Sequence, residues 1–152
     1  MKSVVIGCDN AAVSLKNTLK SYMESKGISV EDVGCGSADD PTNYPEIAGR
    51  ACRMILAGGG AKEGVLVCGT GIGMCISANK FKGIRAAVCH DSYSAERAKL
   101  SNSANVVCFG ERVIGAELAK KILGEWLNLA FIDGPSTPKV NEILKIEEEN
   151  FK

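Results

Sequence analysis

Short apolar runs alternate with longer segments of helical period along the 152 residues of this chain. Apolar runs that alternate with helical segments are typical of a parallel sheet with helices on both faces. The pattern therefore predicts one domain over residues 1–152: an α/β, doubly wound (Rossmann-like) three-layer sandwich with a five-stranded parallel sheet. The predicted strands are Ser3–Cys8, Ser29–Val33, Gly64–Cys68, Arg85–Cys89 and Val106–Phe109.

Six helices are predicted around these strands. Apolar residues at three- and four-residue spacing mark the first helix, which ends at Gly27. Pro45 is tolerated in the first turn of the second, since its missing N–H has no partner there, and that helix runs to about Ala57. The third begins near Gly73 and the fourth near Ser92. A fifth carries Leu118, Ile122, Trp126 and Leu129, and a C-terminal helix runs from Val140 to about Glu149.

Charge and hydropathy limit the kinds of partner. Eighteen basic and eighteen acidic residues cancel, so no overall positive field attracts nucleic acid, and neither nucleic acid nor a membrane is an expected partner. The apolar runs are far shorter than the roughly 18 residues that cross a bilayer, and the N-terminal run is too short for a signal peptide. We expect a cytoplasmic protein. Lys16 and Lys20, one helical turn apart, are expected to form a solvated face.

The cysteines are numerous but do not form a metal-binding or disulfide pattern. Their number is odd, and no two are spaced as Cys-x-x-Cys, so we expect neither a disulfide framework nor a metal site. Most are expected to be small buried side chains. Cys68 is the exception, because glycines follow it. The seven are Cys8, Cys35, Cys52, Cys68, Cys75, Cys89 and Cys108.

Polar or reactive residues follow three of the predicted strands. Ligands of doubly wound sheets bind at the carboxyl ends of the strands, at a topological switch point. The three clusters are therefore expected to converge on one site. They are Cys8-Asp9-Asn10, Cys68-Gly69-Thr70 and His90-Asp91.

The loop Gly69-x-Gly71-x-Gly73 admits several interpretations. It lacks the Gly-Lys-Ser/Thr ending of a P-loop, and its third glycine comes one residue too early for a dinucleotide motif. Asp91, twenty residues after Gly71, keeps a nucleotide-binding module open as a first interpretation. The second is a plain tight turn that binds no ligand. In the third interpretation, the Cys68 thiolate removes a proton next to a carbonyl while loop amides stabilise the developing oxygen, or it attacks a carbonyl as a nucleophile.

Motifs along nearly the whole chain resemble the type B ribose-5-phosphate isomerases, a family that includes the galactose-6-phosphate isomerase subunits. The resemblance implies an aldose–ketose isomerase that acts on a phosphorylated sugar through an enediolate, without metal or organic cofactor. The matching motifs are Gly7-Cys8-Asp9, Thr42-Asn43-Tyr44-Pro45, Cys68-Gly69-Thr70-Gly71-Ile72-Gly73, Ala78-Asn79-Lys80, Gly83-Ile84-Arg85-Ala86, Ser94-Ala95, Asn105-Val106-Val107 and Phe109-Gly110-Glu111-Arg112.

The resemblance also implies roles for individual residues. Cys68 matches the catalytic base that moves a proton between C1 and C2 of the sugar. Asp9 and Tyr44 match residues of the substrate pocket. Asn102 and Arg112 match substrate- and phosphate-binding positions that the second subunit of a homodimer, or of a dimer of dimers, supplies. The loop that holds the enediolate oxygens matches Gly69, Thr70, Gly71 and Gly73.

This sequence departs from the family pattern at four positions. Asn10 stands where a histidine is usual. Ser101 stands where the family has the histidine that opens the sugar ring, in a run expected on the fourth helix. Pro135 and Lys139 replace two phosphate-binding arginines, and Lys139 supplies a point charge rather than a bidentate fork. His90 is a candidate substitute for the ring-opening acid, although a strand-end histidine without a role is an equal alternative.

Two explanations of the lost histidine remain open. A four-carbon sugar 4-phosphate has its O4 blocked and cannot close a furanose, so it needs no ring opening. Alternatively, the chain is a subunit of a heteromeric isomerase and needs a different partner chain. The preferred prediction is a homomeric isomerase of altered substrate, because Arg112 and Lys139 remain available.

Overall fold

A computed structural model describes residues 2–151 of the chain. The expected sheet is present: five strands, all parallel, in the order β2-β1-β3-β5-β4. No helix among residues 2–151 is long and apolar enough to cross a membrane. The strands are β1 (Ser3–Cys8), β2 (Ser29–Asp32), β3 (Lys62–Cys68), β4 (Ala86–Val88) and β5 (Val106–Gly110).

Five of the six helices pack on the two faces of the sheet. α1, α4 and α5 pack together on one face, and α2 packs with α3 on the other. This arrangement confirms the three-layer α/β sandwich. The helices are α1 (Val13–Ser25), α2 (Tyr44–Ala57), α3 (Ile72–Ala78), α4 (Ser92–Leu100), α5 (Ala116–Leu127) and α6 (Thr137–Asn150).

The strand order creates a switch point between β1 and β3. From β1 the chain passes to β2, which lies at one edge of the sheet. It then returns to β3, which is the neighbour of β1 on the opposite side. Connections leave the sheet in opposite directions at such a point and open a crevice at the carboxyl ends of the strands. In register, Cys8 pairs with Val67, so Asp9 and Cys68 leave the sheet side by side at this crevice.

Several predicted boundaries were wrong by a few residues. α5 ends at Leu127 rather than beyond Leu129, and Leu118 is 45% exposed instead of facing the core. α6 begins at Thr137, before Val140, because Pro138 is compatible with a first turn. α4 ends at Leu100, so Ser101 lies just past the helix rather than on it.

The core is the two faces of β1, β3 and β5 with the apolar sides of the helices, and Trp126 and Phe109 are its largest fully buried side chains. The expectation of a solvated lysine face was wrong for Lys16. Its side chain is 3% exposed, and its ammonium lies 2.8 Å from the carboxylate of Asp32. Burial raises the pKa of Asp32, but the hydrogen bonds from Lys16 and the Gly34 N–H, together with the positive charges of Lys16 and Lys20, outweigh burial and hold that pKa below its ordinary value.

Candidate active site

Cys68 is the last residue of β3 and lies at the switch-point crevice. Its side chain is 5% exposed. The backbone N–H of Gly71 donates a hydrogen bond to the Cys68 sulfur at 3.1 Å. Gly71 has a φ of +81° and directly precedes α3, a backbone conformation that glycine adopts without strain. The loop therefore turns back over the thiol and fixes the position of the sulfur.

The loop rests on the end of β5. A Cβ added to Gly110 would lie 2.5 Å from the backbone carbon of Thr70, and one added to Gly71 would lie 3.0 Å from the carbonyl carbon of Phe109. A Cβ contact of 2.5 Å is essentially never found, and one of 3.0 Å is tighter than nine in ten real contacts, so both glycines allow two backbones to approach closely. The hydroxyl of Thr70 accepts a hydrogen bond from the Ile72 N–H at 3.2 Å, and the residue is exposed.

Arg112 lies beside the same loop in its own chain. The Arg112 N–H donates to the carbonyl of Gly69 at 3.1 Å, and the N–H of Glu111 donates to the carbonyl of Cys68 at 2.9 Å. The Arg112 guanidinium covers Gly69, where an added Cβ would lie 3.1 Å from its Nη1. Within one chain, the Arg112 cation therefore lies beside the residue that follows Cys68.

Two of the predicted pocket residues flank the loop. The Tyr44 ring, at the start of α2, packs directly on Gly73 in the first turn of α3 and leaves no room for a Cβ there. Asp9 is half-buried, and its carboxylate accepts the N–H of Ala11 at 3.1 Å, which shapes the turn after β1. Asn10 is exposed on this turn. The structure thus brings Asp9, Tyr44 and Arg112 to the Cys68 loop.

Glu111 is a residue of this region whose role the sequence did not reveal. Its Oε1 accepts the backbone N–H of Leu15 at 2.6 Å. Leu15 is the third residue of α1, and Ala12 at the start of that helix offers no capping side chain. Glu111 therefore caps α1 from a loop that is 96 residues away in sequence and ties the Asp9 turn to the β5 end.

Three predicted substrate residues lie away from Cys68 within one chain. Ser101 follows α4, which runs back toward the amino ends of the strands, and its hydroxyl accepts a hydrogen bond from Arg97. Asn102 lines an apolar cleft under α6, with Ile143 and Ile146. Lys139 is exposed near the start of α6. A single chain therefore does not bring these three to the thiol.

His90 follows β4 and is bonded to the end of β5. Its Nε2 accepts the N–H of Gly110 at 2.8 Å. Because a backbone N–H can only donate, Nε2 carries no proton and the neutral ring has its N–H on Nδ1. Burial lowers the pKa of His90 from its ordinary value of 6.5, although the nearby Asp91 carboxylate raises it.

The other cysteines have distinct environments. All seven are free thiols, and Cys75 is the half-buried one. A hydrogen bond with the Cys108 thiol lowers the pKa of Cys75 to about 7, against the effect of burial. Cys75 also donates to the Ala86 carbonyl at 3.4 Å. Burial raises the pKa of Cys8 to about 12. Among residues 2–151, no cluster of three His, Cys, Asp or Glu side chains is arranged to hold a metal ion.

The fold, the thiol and the glycine loop together match a known family. Residues 4–143 match the family model described as Ribose/Galactose Isomerase. The chain belongs to the ribose/galactose isomerase family. It is therefore an isomerase, as the resemblance implied, and the nucleotide-binding alternative has no support in the family match.

Individual relatives cover nearly the whole chain. It is 50% identical over 143 residues to the D-erythrulose-4-phosphate isomerase of Pectobacterium atrosepticum, with 94% of this chain and 93% of that protein covered. It is 40% identical to ribose-5-phosphate isomerase B of Escherichia coli, with 97% and 98% covered. The structure of Clostridium thermocellum ribose-5-phosphate isomerase B superimposes with a TM-score of 0.92 at 36% identity, covering 98% of this chain and 99% of that one.

Proposed function

We propose that this isomerase interconverts the aldose and ketose forms of a phosphorylated sugar by proton transfer at Cys68. The observation that carries the proposal is the Cys68 sulfur at the switch point, held by the Gly71 N–H at 3.1 Å. The thiolate takes the proton from the carbon next to the carbonyl, which leaves an enediolate, and returns it to the neighbouring carbon. A hydroxyl proton moves between the two sugar oxygens, so no oxidant or reductant is needed.

The glycine loop and Thr70 stabilise the enediolate in this proposal. Negative charge develops on the sugar oxygens as the proton leaves, and fixed donors at that position lower the barrier. The Thr70 oxygen already accepts the Ile72 N–H, so its own O–H proton is available to donate to a substrate oxygen. Asp9 and Asn10 bind substrate hydroxyls at the neighbouring strand end, and Tyr44 closes the pocket over Gly73.

We assign a four-carbon sugar 4-phosphate, of the D-erythrulose 4-phosphate type, as the substrate. Such a sugar cannot close a furanose, which agrees with Ser101 at the position of the family's ring-opening histidine. A serine hydroxyl does not replace an imidazole as an acid near neutral pH. The Pectobacterium relative named for this substrate is more similar to the chain than the Escherichia coli ribose-5-phosphate isomerase is.

A homodimer with shared sites accounts for the distant residues. Ser101, Asn102 and Lys139 lie away from Cys68 in one chain, and a second copy would place its own set opposite the loop, with Lys139 beside the phosphate. Exposed apolar side chains near the Cys68 loop support an interface there: Ile72 and Ile76 on α3 are 55% and 57% exposed, and Val113 is 58% exposed. A heteromer is the second candidate, because a different partner chain would also supply residues that one chain does not bring to Cys68.

Assays of the purified chain alone test both the proposed substrate and the proposed homomeric state. Tetrose, pentose and hexose phosphates are each incubated with it, and aldose and ketose are quantified by NMR. We expect the tetrose 4-phosphate to have the highest kcat/KM. Activity that appears only with a second family member identifies the heteromer. No isomerisation of any of these sugars, with or without a partner chain, overturns the proposal.

Mixed dimers test the shared site. Cys68→Ala and Lys139→Met chains are each inactive or weak in this proposal, because each homodimer repeats one defect at both sites. When the two variants are unfolded and refolded together, hybrid dimers contain one site with neither defect. Recovered activity supports a site built from two chains, and its absence, with dimers confirmed by light scattering, contradicts it.

A further inference from the structure

The His90 side chain extends the sheet where β4 has ended. β4 ends at Val88, which pairs with Cys108 in register, and two residues further along β5 lies Gly110. Here the imidazole Nε2 replaces a backbone carbonyl as the acceptor of the Gly110 N–H, at 2.8 Å. The ring also lies against Phe109, with the two ring planes inclined by 31°.

Gly110 transmits this contact to the reactive loop. It pairs with Cys68 across β3 and β5, and the Thr70 backbone lies on its Cα face with no space for a Cβ. Thr70 lies between Cys68 and Gly71, the residue whose N–H contacts the Cys68 sulfur. Any shift of Gly110 therefore moves the Thr70 backbone and the donor at Gly71.

We propose that neutral His90 is a positioning residue of the isomerase, which holds the Cys68–Gly71 loop in its reactive geometry through the amide of Gly110. The proposal rests on the proposed function, and it assigns His90 a role other than that of a ring-opening acid. The hydrogen bond requires an unprotonated Nε2, so protonation of the ring removes it.

The sign of the pH dependence follows from the groups around the ring. Asp91, at the start of α4, favours the imidazolium, whereas burial opposes it more strongly. On the β5 side, the Glu111 carboxylate accepts the Leu15 N–H, and the Arg112 guanidinium lies on Gly69. Cys68 is at the end of β3, paired with Gly110. The folded-state pKa lies below 6.5, so the hydrogen bond is fully present above that pH and is lost as the pH falls through the folded-state value.

Two substitutions separate positioning from acid catalysis. In His90→Gln, the amide oxygen reaches the place of Nε2 and accepts the Gly110 N–H without titrating. In His90→Ala the acceptor is lost. We expect His90→Ala to lower kcat by roughly 10- to 100-fold with little change in KM, as for a displaced catalytic group, and His90→Gln to restore most of it. The ratio of wild-type to His90→Gln activity should fall as the pH drops below 6.5; a substrate phosphate titrates equally in both.

Hydrogen exchange supplies a readout that needs no activity. We expect the Gly110 and Gly71 amides to exchange roughly tenfold faster in His90→Ala and at the wild-type rate in His90→Gln. The single histidine of the chain also makes its ring ¹⁵N signals unambiguous, and they should show the Nδ1–H form. Unchanged exchange in His90→Ala, an Nε2–H ring, or equal activity loss in both variants overturns the proposal. If the wild type isomerises no sugar phosphate, the proposed function fails, and the exchange rates still decide whether His90 holds the loop.

Discussion

The backbone N–H of Gly71 points at the sulfur of Cys68 across 3.1 Å. This contact joins the Cys68 sulfur to the turn that surrounds it, and the positive φ of Gly71 makes the N–H available. This loop rests on the end of β5. Residues that never touch a substrate are therefore expected to affect the reaction.

Gly110→Ala should displace the loop. The added methyl would lie 2.5 Å from the Thr70 backbone, and backbone cannot rotate aside as a flexible side chain does, so the loop must shift. We expect kcat to fall by roughly 100-fold, the scale of a 1 Å misplacement. Gly134→Ala is the matched control, because an added Cβ there meets nothing within 4 Å. Equal activity of the two variants would show that the loop tolerates displacement.

Glu111→Ala should destabilise α1 and the Asp9 turn together. The variant leaves the Leu15 N–H uncapped, and loss of a helix cap costs about 1 kcal/mol. Urea unfolding should show this loss, and kcat/KM should fall as well. Glu111→Gln retains an oxygen acceptor and should be milder. Glu117→Ala, in the exposed first turn of α5, serves as the control, and the account of Glu111 is wrong if Glu117→Ala has the same effect.

Arg112→Met should weaken substrate binding more than turnover. The Arg112 guanidinium lies beside Gly69 in the chain's own loop, and hydrogen bonds to charged groups are worth about 1.5–3 kcal/mol. We expect KM for the phosphorylated sugar to rise by roughly 10-fold or more. Lys121→Met removes a cation paired with Glu125 on α5 and should leave KM unchanged. An unchanged KM in Arg112→Met would show that Arg112 does not bind the substrate phosphate.

Cys75 should be alkylated in preference to Cys8 and Cys52 near neutral pH. Its pKa of about 7 lies well below the values of about 12 for Cys8 and about 11 for Cys52. The thiolate is the nucleophile, so alkylation of Cys75 by iodoacetamide should increase as the pH rises through 7 and level off above 8. Peptide mass spectrometry resolves the sites. Modification of Cys8 or Cys52 before Cys75 would contradict the assigned environments.

Local patterns predicted the framework and the position of Cys68 at the end of a strand. The bounds of α2 follow from Pro45 and the glycines after Ala57, and the clustering of Asp9 with Cys68 follows from parallel strands ending at one edge. The motif resemblance located Tyr44 and Arg112, which the structure places on Gly73 and Gly69.

Contacts between distant segments could not be predicted in this way. Lys16 has the spacing of a solvated face, yet Asp32 on the neighbouring β2 draws it inward. The cap that Glu111 gives to α1 and the bond from Gly110 to His90 each join elements that only the folded sheet brings together. Periodicity along one segment carries no information about such partners.

Deuterium exchange at the sugar carbon tests the central claim most directly. Wild type, Cys68→Ala and Cys75→Ala are each incubated with D-erythrulose 4-phosphate in deuterated water, and loss of the C1 or C2 proton signal is followed by NMR. A general base contributes about 10²- to 10⁴-fold, so Cys68→Ala should lose at least that factor while remaining folded, and Cys75→Ala should stay close to wild type. Exchange that persists in Cys68→Ala, or that disappears in Cys75→Ala, would contradict Cys68 as the base.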